Sequence, residues 1–289
     1  METFVQQILN GLVLGSMYAL VALGYTMVYG IINLINFAHG AMYMFGAYLA
    51  YQIATASGNF WLALVVAPLG MALLGALTER WLLRPIYAMP HEFQLLITFG
   101  LILVLEEAVH VFWGLNGRSI ATPAALTGSV EWFGTAFARY RLFVIALGAA
   151  MVVLLLVGIE RSRIGLIVRA SSVNPAMAAN LGVKVNTVRT AVFAAGAALA
   201  GLAGAIAGPM LPIQLQMGTT IILDCFIVVI LGGLGNIRGA VLGALLIGMT
   251  RAYGQQWLPE WIDILTYGVL IGTLLLRPQG LFSKKERLA

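Results

Sequence analysis

Few residues of this chain combine a reactive or ionisable side chain with a position inside an apolar segment. They are His39, Glu106, Glu107, His110, Asp224 and Arg251, with Asn33 and Asn36 as neutral companions. An ionisable group at the centre of a bilayer costs roughly 2.5–3.5 kcal/mol, so each of these side chains should face a cavity or a partner. The candidates for lining a path across a membrane are Asn33, Asn36, His39, Gly40 and Asp224. For His39 and Asp224, a structural role in holding helices together is the alternative.

Glu106, Glu107 and His110 form no recognisable catalytic or metal site. Glu106, Glu107 and His110 are three and four residues apart, a spacing that places a carboxylate and an imidazole on one helix face. A metal site would need a further ligand, and the sequence has no second Glu-x-x-His element. It also contains neither a Gly-x-x-x-x-Gly-Lys-Ser/Thr phosphate loop nor a Gly-x-Ser-x-Gly elbow. We therefore expect no enzyme activity, cofactor or metal, and any ATP that drives transport must bind another chain.

The amino-acid composition indicates the class of protein in which these residues lie. Of 289 residues, 61% are hydrophobic and 9% are charged, whereas a soluble domain has about 25% charged residues. This composition predicts a single all-α transmembrane domain over residues 1–289. Cys225 is the only cysteine, which excludes a disulfide scaffold. The 16 basic residues cluster in a few loops, a pattern that sets membrane topology and does not indicate nucleic-acid binding.

Apolar windows long enough to cross a bilayer recur along the chain, and they predict about eight or nine transmembrane helices. The segments are Phe4 to Tyr29, Phe37 to Ala56, Phe60 to Leu83, Phe93 to Trp113, Leu142 to Ile159, Val188 to Ala207, Thr220 to Leu234, Ala240 to Trp257 and Trp261 to Leu276. The seventh and eighth are short and close together, which is compatible with broken or re-entrant helices. Basic residues after the fifth segment and in the C-terminal tail predict that both are cytoplasmic, and counting back places the N-terminus in the periplasm.

The basic loop over residues 160–189 contains a short segment with helix signals at both ends. Asn174 suits an N-cap, Pro175 the first helical position and Gly182 the left-handed residue after the end, so we expect a helix over about 175–181. Such a helix is too short to be stable alone and should rest on the membrane domain or on a partner. The residues assigned to docking are Arg169, Ser172, Asn174, Pro175, Met177, Asn180, Leu181 and Gly182. An ordinary connecting loop is the alternative.

Four ordered motifs resemble the inner-membrane permeases of bacterial branched-chain amino acid ABC importers, and in particular their LivH-type subunit. They begin at Gly15 (GSMYALVALG), Asn36 (NFAHG, with MFGAY from Met44), Leu231 (LGGLGNIRGA) and Leu276 (LRPQGLF). The resemblance covers nearly the whole chain. It implies that residues 160–189 form an ATPase-docking loop. It also implies a heterodimer with a LivM-like permease, two cytoplasmic ATPase subunits and a periplasmic binding protein. Ala41 departs from the family because many relatives have an acidic residue there, and Asn174 and Pro175 likewise stand where relatives often carry acidic residues.

The expected function is therefore translocation of branched-chain or related amino acids, driven by ATP hydrolysis in other subunits. Urea, short amides and aromatic acids are alternative cargoes for the same architecture. From another class, Asn174-Pro175-Ala176 matches the signature of aquaporin-type channels, although it lies in the most charged loop and no arginine follows it. A secondary transporter would need buried carboxylates in a core position, for which Asp224 is the only candidate.

Overall fold

The computed structural model describes residues 2–132 and 135–281, and the polypeptide is a bundle of long helices. The helices are α1 (Glu2–Ile32), α2 (Ala38–Ser57), α3 (Phe60–Thr78), α4 (His91–Trp113), α5 (Arg139–Arg161), α6 (Arg163–Val173), α7 (Pro175–Asn180), α8 (Val185–Ala207), α9 (Met217–Gly232), α10 (Ile237–Trp257) and α11 (Ile262–Leu276). A π-helical turn, Glu79–Leu83, and a 3₁₀ turn, Arg84–Ile86, continue α3. Each predicted membrane segment corresponds to one of the longer helices, so the all-α polytopic fold is confirmed.

Several helices begin or end two or three residues away from the approximate predicted boundaries. Helix α1 extends two residues before and three residues beyond the predicted segment from Phe4 to Tyr29, and α9 begins at Met217 instead of Thr220. Within the described residues, six helical segments are long and apolar enough to cross a membrane, and α9 is a shorter apolar helix. Helices α2 and α10 are not among the six, although they have 20 and 21 residues. Both carry many glycines and polar residues because they pack inside the bundle, and this lowers their hydropathy.

Helix α1 lies at the centre of the bundle. In its most apolar window 89% of the residues are buried, against 11–28% in the corresponding windows of α3, α4, α5 and α11. The outer helices expose Leu69, Leu96, Leu154 and Leu275, among other large apolar side chains. Apolar surface of this extent is stable only against lipid or against another apolar protein surface.

Small residues allow the inner helices to approach one another closely. The Gly-x-x-x-Gly spacings at 11–15, 204–208 and 239–243 predict backbone contacts, and the structure confirms them. A Cβ atom on Gly204 would lie 2.2 Å from the carbonyl oxygen of Tyr43 in α2. One on Gly46 would lie 2.4 Å from Cα of Gly201 in α8. Such distances leave no room for a side chain, so these glycines determine how closely α2 and α8 pack.

The two ends of the bundle differ. At one end, here called the hairpin end, the strands β1 (Ser129–Trp132) and β2 (Thr135–Ala138) form an antiparallel hairpin. The sequence did not indicate this hairpin, which is a small departure from an all-α fold. The opposite end, here called the basic end, consists of residues 33–37, 84–90, 160–184, 233–236 and 277–281. Much of the predicted loop over residues 160–189 is helical, because α6 occupies Arg163–Val173 before α7 begins.

Candidate functional site: the basic end and its link to the bundle

Helices α6 and α7 form a compact unit at the basic end. The Ser162 hydroxyl caps α6 by accepting from the Gly165 amide at 2.9 Å. The Asn174 side chain caps α7 by accepting from the Met177 amide at 2.9 Å, with Pro175 at the first helical position. Gly182 has φ +88°. The predicted start and end signals are therefore confirmed, but α7 ends at Asn180 because Leu181 already leaves helical geometry (φ −84°, ψ 10°).

The apolar side chains of α7 point away from the bundle. Met177 and Leu181 are 61% and 78% exposed, and Val173 at the end of α6 is 86% exposed. Ala178, on the opposite side of α7, is buried. Met177 and Leu181, two apolar residues four apart in the sequence, are thus not what holds α7 against the membrane domain. An exposed apolar cluster on a short, capped helix is typical of a surface that a partner covers.

The other residues assigned to docking surround this cluster. Asn174, Asn180 and Gly182 are exposed. The Ser172 hydroxyl donates to the Arg169 carbonyl at 2.8 Å, and the Arg169 guanidinium donates to the Ile159 carbonyl at the end of α5. Two of the eight assigned residues, Arg169 and Ser172, therefore stabilise α6 and its junction with α5, and both also line a cavity described below.

A buried carboxylate connects α3 with the start of α8. Glu79 is 0% exposed and accepts from Arg84 at 3.2 and 2.7 Å, from the Tyr87 hydroxyl at 3.0 Å and from the Thr190 hydroxyl at 2.7 Å. The Arg189 guanidinium lies over the Tyr87 ring, 5.1 Å from its centre. A carboxylate with four donors and a neighbouring cation is well compensated for its burial. The cluster fastens the basic end of α3 to the first turns of α8, which follow α7 directly along the chain.

A cavity of about 810 Å³ opens at the basic end, between the ends of α1 and α5, helix α6 and the start of α10. Its polar residues include Arg169, Ser172 and a Glu160–Arg238 ion pair with N···O distances of 2.7 and 2.8 Å. That ion pair joins the end of α5 to the start of α10. Thr26 of α1 also lines the cavity.

The candidate path residues near the start of α2 are mostly involved in packing. His39 is 1% exposed, and its Nε2 lies 3.1 Å from the Val21 carbonyl oxygen of α1. Because a carbonyl oxygen only accepts, this contact requires a proton on Nε2. Asn36 is buried, and its side-chain oxygen accepts from the Ala38 amide at 3.1 Å, at the first residue of α2. A Cβ on Gly40 would lie 2.2 Å from the Gly218 carbonyl oxygen. Asn33 is exposed, with φ +55°.

Asp224 lies in a network that joins four helices, α1, α9, α10 and α11. Its carboxylate accepts from the Tyr18 hydroxyl at 2.9 Å and from the Arg251 guanidinium at 2.6 Å. Asp224 is 4% exposed, and Arg251 also lies 3.4 Å from Asp263 of α11. Mutual neutralisation explains how two charged side chains are tolerated at this depth. The structure brings Asp224 together with Arg251, and neither Asp224 nor His39 lines the cavity at the basic end.

The acidic residues of α4 do not form a site with His110. Glu107 lies 3.5 Å from His110, and both side chains are largely exposed. Among the residues that the structure describes, no group of three or more histidine, cysteine, aspartate or glutamate side chains is arranged to hold a metal ion.

Sequence reasoning missed Glu79 and the Glu160–Arg238 pair. Glu79 lies inside the predicted third segment, Phe60 to Leu83, so the rule that intramembrane carboxylates need a partner applied to it. Arg84, five residues later, was a visible partner. No sequence signal pairs Glu160 with Arg238, because 78 residues separate them.

Long apolar helices packed around a buried central helix, with outer helices that expose apolar faces, define a polytopic α-helical membrane protein. The profile of the family described as "Branched-chain amino acid transport system / permease component" matches residues 7–274. The chain belongs to this family. It is therefore a permease component and a multi-pass membrane protein, as the motifs predict, and the channel and secondary-transporter alternatives gain no support.

Named relatives agree with this assignment. The chain is 32% identical over 299 residues to the high-affinity branched-chain amino acid transport system permease protein LivH of Salmonella typhimurium, covering 98% of this chain and 96% of that one. It is 25% identical to the permease protein LivM of the Escherichia coli system, covering 91% of this chain and 67% of that one. The solved structure of PsaBC from Streptococcus pneumoniae in complex with a Fab superposes with a TM-score of 0.52 at 11% identity, covering 93% of this chain and 91% of that one. This last similarity concerns the fold alone.

Proposed function

We propose that this chain is one of two permease subunits in an ATP-driven importer of branched-chain or related amino acids. The observation that supports this most strongly is 32% identity to LivH over nearly the full length of both chains. The second permease is LivM-like, since a LivM protein is itself a more distant relative of this chain. Two ATPase subunits and a periplasmic binding protein, the partners that the family resemblance implies, complete the assembly. This sequence contains no phosphate-loop motif, so in this proposal ATP binds to the ATPase subunits.

In this proposal the basic end faces the cytoplasm of a bacterial inner membrane. Arg161, Arg163, Arg169, Lys184 and Arg189 lie in or beside the α6–α7 segment, and the positive-inside rule assigns such a segment to the cytoplasmic side. The start of α1 and the hairpin then face the periplasm, where the binding protein delivers the cargo. Further basic residues of the predicted tail, Lys284, Lys285 and Arg287, lie outside the described residues.

The α6–α7 unit is the docking element for an ATPase subunit, and α7 is its coupling helix. Val173, Met177 and Leu181 present apolar side chains to the cytoplasm, where no lipid covers them. Burying one such side chain in an interface stabilises a complex by roughly 1.5–3 kcal/mol before the costs of ordering it. Movement of α7 passes directly into α8, and the Glu79 cluster transmits it to α3.

Transport by the purified complex tests the proposal. The tagged chain is isolated gently from its native membrane, the co-purifying subunits are identified, and the complex is reconstituted with the binding protein in liposomes. We expect ATP-dependent uptake of labelled leucine, isoleucine or valine. Uptake of urea, a short amide or an aromatic acid instead would keep the importer and replace the cargo. Isolation of the chain without ATPase subunits, together with solute flux that needs no ATP, would contradict the proposal.

A paired set of variants tests the docking surface. Replacing Leu181 with aspartate places a charge in the exposed apolar cluster, and we expect the ATPase subunits to be lost on purification. Leu115, at the hairpin end, is also largely exposed. The matched variant Leu115→Asp should retain the ATPases. Equal retention in both variants would argue against α7 as the docking element.

A further inference from the structure

The cavity at the basic end has the chemistry of a site for an amphiphilic anion. Its wall is apolar along Met27, Ile31, Val168 and Leu242, and its mouth carries arginine side chains. Its volume of about 810 Å³ is several times that of a single amino acid side chain, so it has room for a chain of methylene groups together with a polar headgroup. The wall also continues into the outer surface, since Leu242 of α10 and Val157 of α5 are both half exposed.

The charges at the mouth do not balance. Arg238 is neutralised by the two hydrogen bonds that it donates to Glu160. Arg169 lines the same cavity and makes its hydrogen bond to the Ile159 backbone carbonyl, which carries no net charge. The mouth therefore holds two guanidinium groups and one carboxylate. A singly charged anion would neutralise the excess.

An unpartnered hydroxyl lies just beneath the cavity wall. The Thr26 hydroxyl belongs to a residue that is 1% exposed, and it has no hydrogen-bond partner among the described residues. A buried hydroxyl without a partner is unfavourable, so a ligand whose acceptor or donor reaches it gains an interaction.

We propose that this cavity binds an anionic phospholipid from the cytoplasmic leaflet. The phosphodiester lies at Arg169 and the outer edge of the Glu160–Arg238 pair, and an acyl chain follows the apolar wall between α5 and α10. The assignment to the cytoplasmic leaflet rests on the orientation in the proposed function. Because α6 forms one wall and the start of α10 another, a bound lipid fixes the position of the coupling segment relative to the bundle.

Binding is measured on the full chain in detergent by native mass spectrometry and by titration. The probes are a short-chain phosphatidylglycerol, the phosphatidylcholine with the same chains, and glycerol phosphate without chains. We expect phosphatidylglycerol to bind at least about tenfold more tightly than either of the others, because only it offers both an anion and an acyl chain. Equal affinity for glycerol phosphate would indicate a site for a free anion and would overturn the lipid assignment, and equal affinity for phosphatidylcholine would overturn the role of charge.

Matched variants locate the site. Arg169→Gln should weaken phosphatidylglycerol binding by about tenfold, as expected for loss of one guanidinium–phosphate contact. Arg163→Gln removes the same charge from the same helix at an exposed position that does not line the cavity, and it should leave binding within about twofold. Equal weakening in both variants would show that only the overall charge matters and would overturn the site.

A second variant separates binding from folding. Thr26→Val keeps the shape of the side chain and removes the unpartnered hydroxyl, so the lipid-free chain should unfold at an unchanged or higher temperature. Phosphatidylglycerol should then bind a few-fold more weakly. Unchanged binding, or displacement of the lipid when the partner subunits are added, would overturn the proposal. None of these measurements requires transport, so failure of the importer function would be recognised separately.

Discussion

Glu79 offers the sharpest test of how the basic end is joined to the bundle. Its carboxylate is fully buried and holds Arg84, Tyr87 and Thr190 at distances between 2.7 and 3.2 Å. Removing one partner of a buried ion pair costs roughly 3–5 kcal/mol. The Arg84 side chain is 29% exposed and can regain some hydration, which places the expected loss for Glu79→Ala near the lower limit, at about 3 kcal/mol. Glu79→Gln retains an acceptor and similar volume, so we expect a loss of about 1–2 kcal/mol.

The unfolding free energy of these variants can be measured by titration with a denaturing detergent in mixed micelles. Glu107 serves as the control, since it is an exposed carboxylate on α4 with a single long contact to His110. Glu107→Gln should change the unfolding free energy by less than about 0.5 kcal/mol. A loss in Glu79→Ala no larger than that of the control would refute the claim that this network stabilises the junction between α3 and α8.

A second measurement separates stabilisation from transmission. In the assembled importer, Glu79→Gln should lower the amount of cargo moved per ATP hydrolysed, because the weakened contact between α3 and α8 couples their movements less tightly. A residue that only stabilises the fold would lower the number of active complexes and leave this ratio unchanged. An unchanged ratio in a variant that is measurably destabilised would therefore refute the role in coupling while preserving the role in folding.

Three further predictions follow from other contacts. Gly46→Ala should lower the unfolding free energy by about 1–3 kcal/mol, because its Cβ would lie 2.4 Å from Cα of Gly201. Gly100→Ala in α4 is the control: no atom lies within 4 Å of the new Cβ, so the same detergent titration should show no loss or a gain in stability. His39→Ala should reduce the amount of folded protein recovered from membranes and leave transport per complex unchanged, because Nε2 of His39 bonds a backbone carbonyl of α1. Normal recovery with lost transport would instead place His39 on the translocation path. Asn174→Ala should weaken α7 by about 1 kcal/mol and reduce transport per assembled complex, and normal transport would count against a coupling role.

The α6–α7 segment shows how far local sequence signals extend. Asn174, Pro175 and Gly182 were sufficient to predict a short helix, because caps depend on residues within one turn of each other. The same signals did not show which side of the helix faces outward. Met177 and Leu181 form an apolar pair in the sequence, yet they are exposed while Ala178 is buried. That orientation depends on how α6 and α8 pack against the bundle, which local sequence does not encode.

The candidate path residues show what the polarity of a membrane-embedded residue does not predict about its role. Intramembrane polar residues must find partners, and His39, Asp224 and the side-chain oxygen of Asn36 each do so. The rule does not distinguish a partner on a neighbouring helix from a partner in a cavity. His39 bonds a carbonyl 18 residues before it, and Asp224 bonds a tyrosine 206 residues before it. Contacts of such separation are set by the packing of α1 against α2 and α9, which only the three-dimensional structure supplies.

The distribution of small and charged residues indicates which parts of the protein are rigid and which can move. Glycines bring α1, α2, α8, α9 and α10 into backbone contact, and such contacts leave little freedom for sliding because any shift produces overlap. The joints at the basic end are ionic: Glu79 with Arg84, and Glu160 with Arg238. The Glu160–Arg238 pair is exposed, so it is weaker than buried packing and can exchange partners within a small free-energy range, whereas the buried Glu79 cluster holds α3 to α8 more firmly. Force applied to α7 should therefore first rearrange the contacts around Glu160 and Arg238, with the glycine-packed helices moving as a unit behind them.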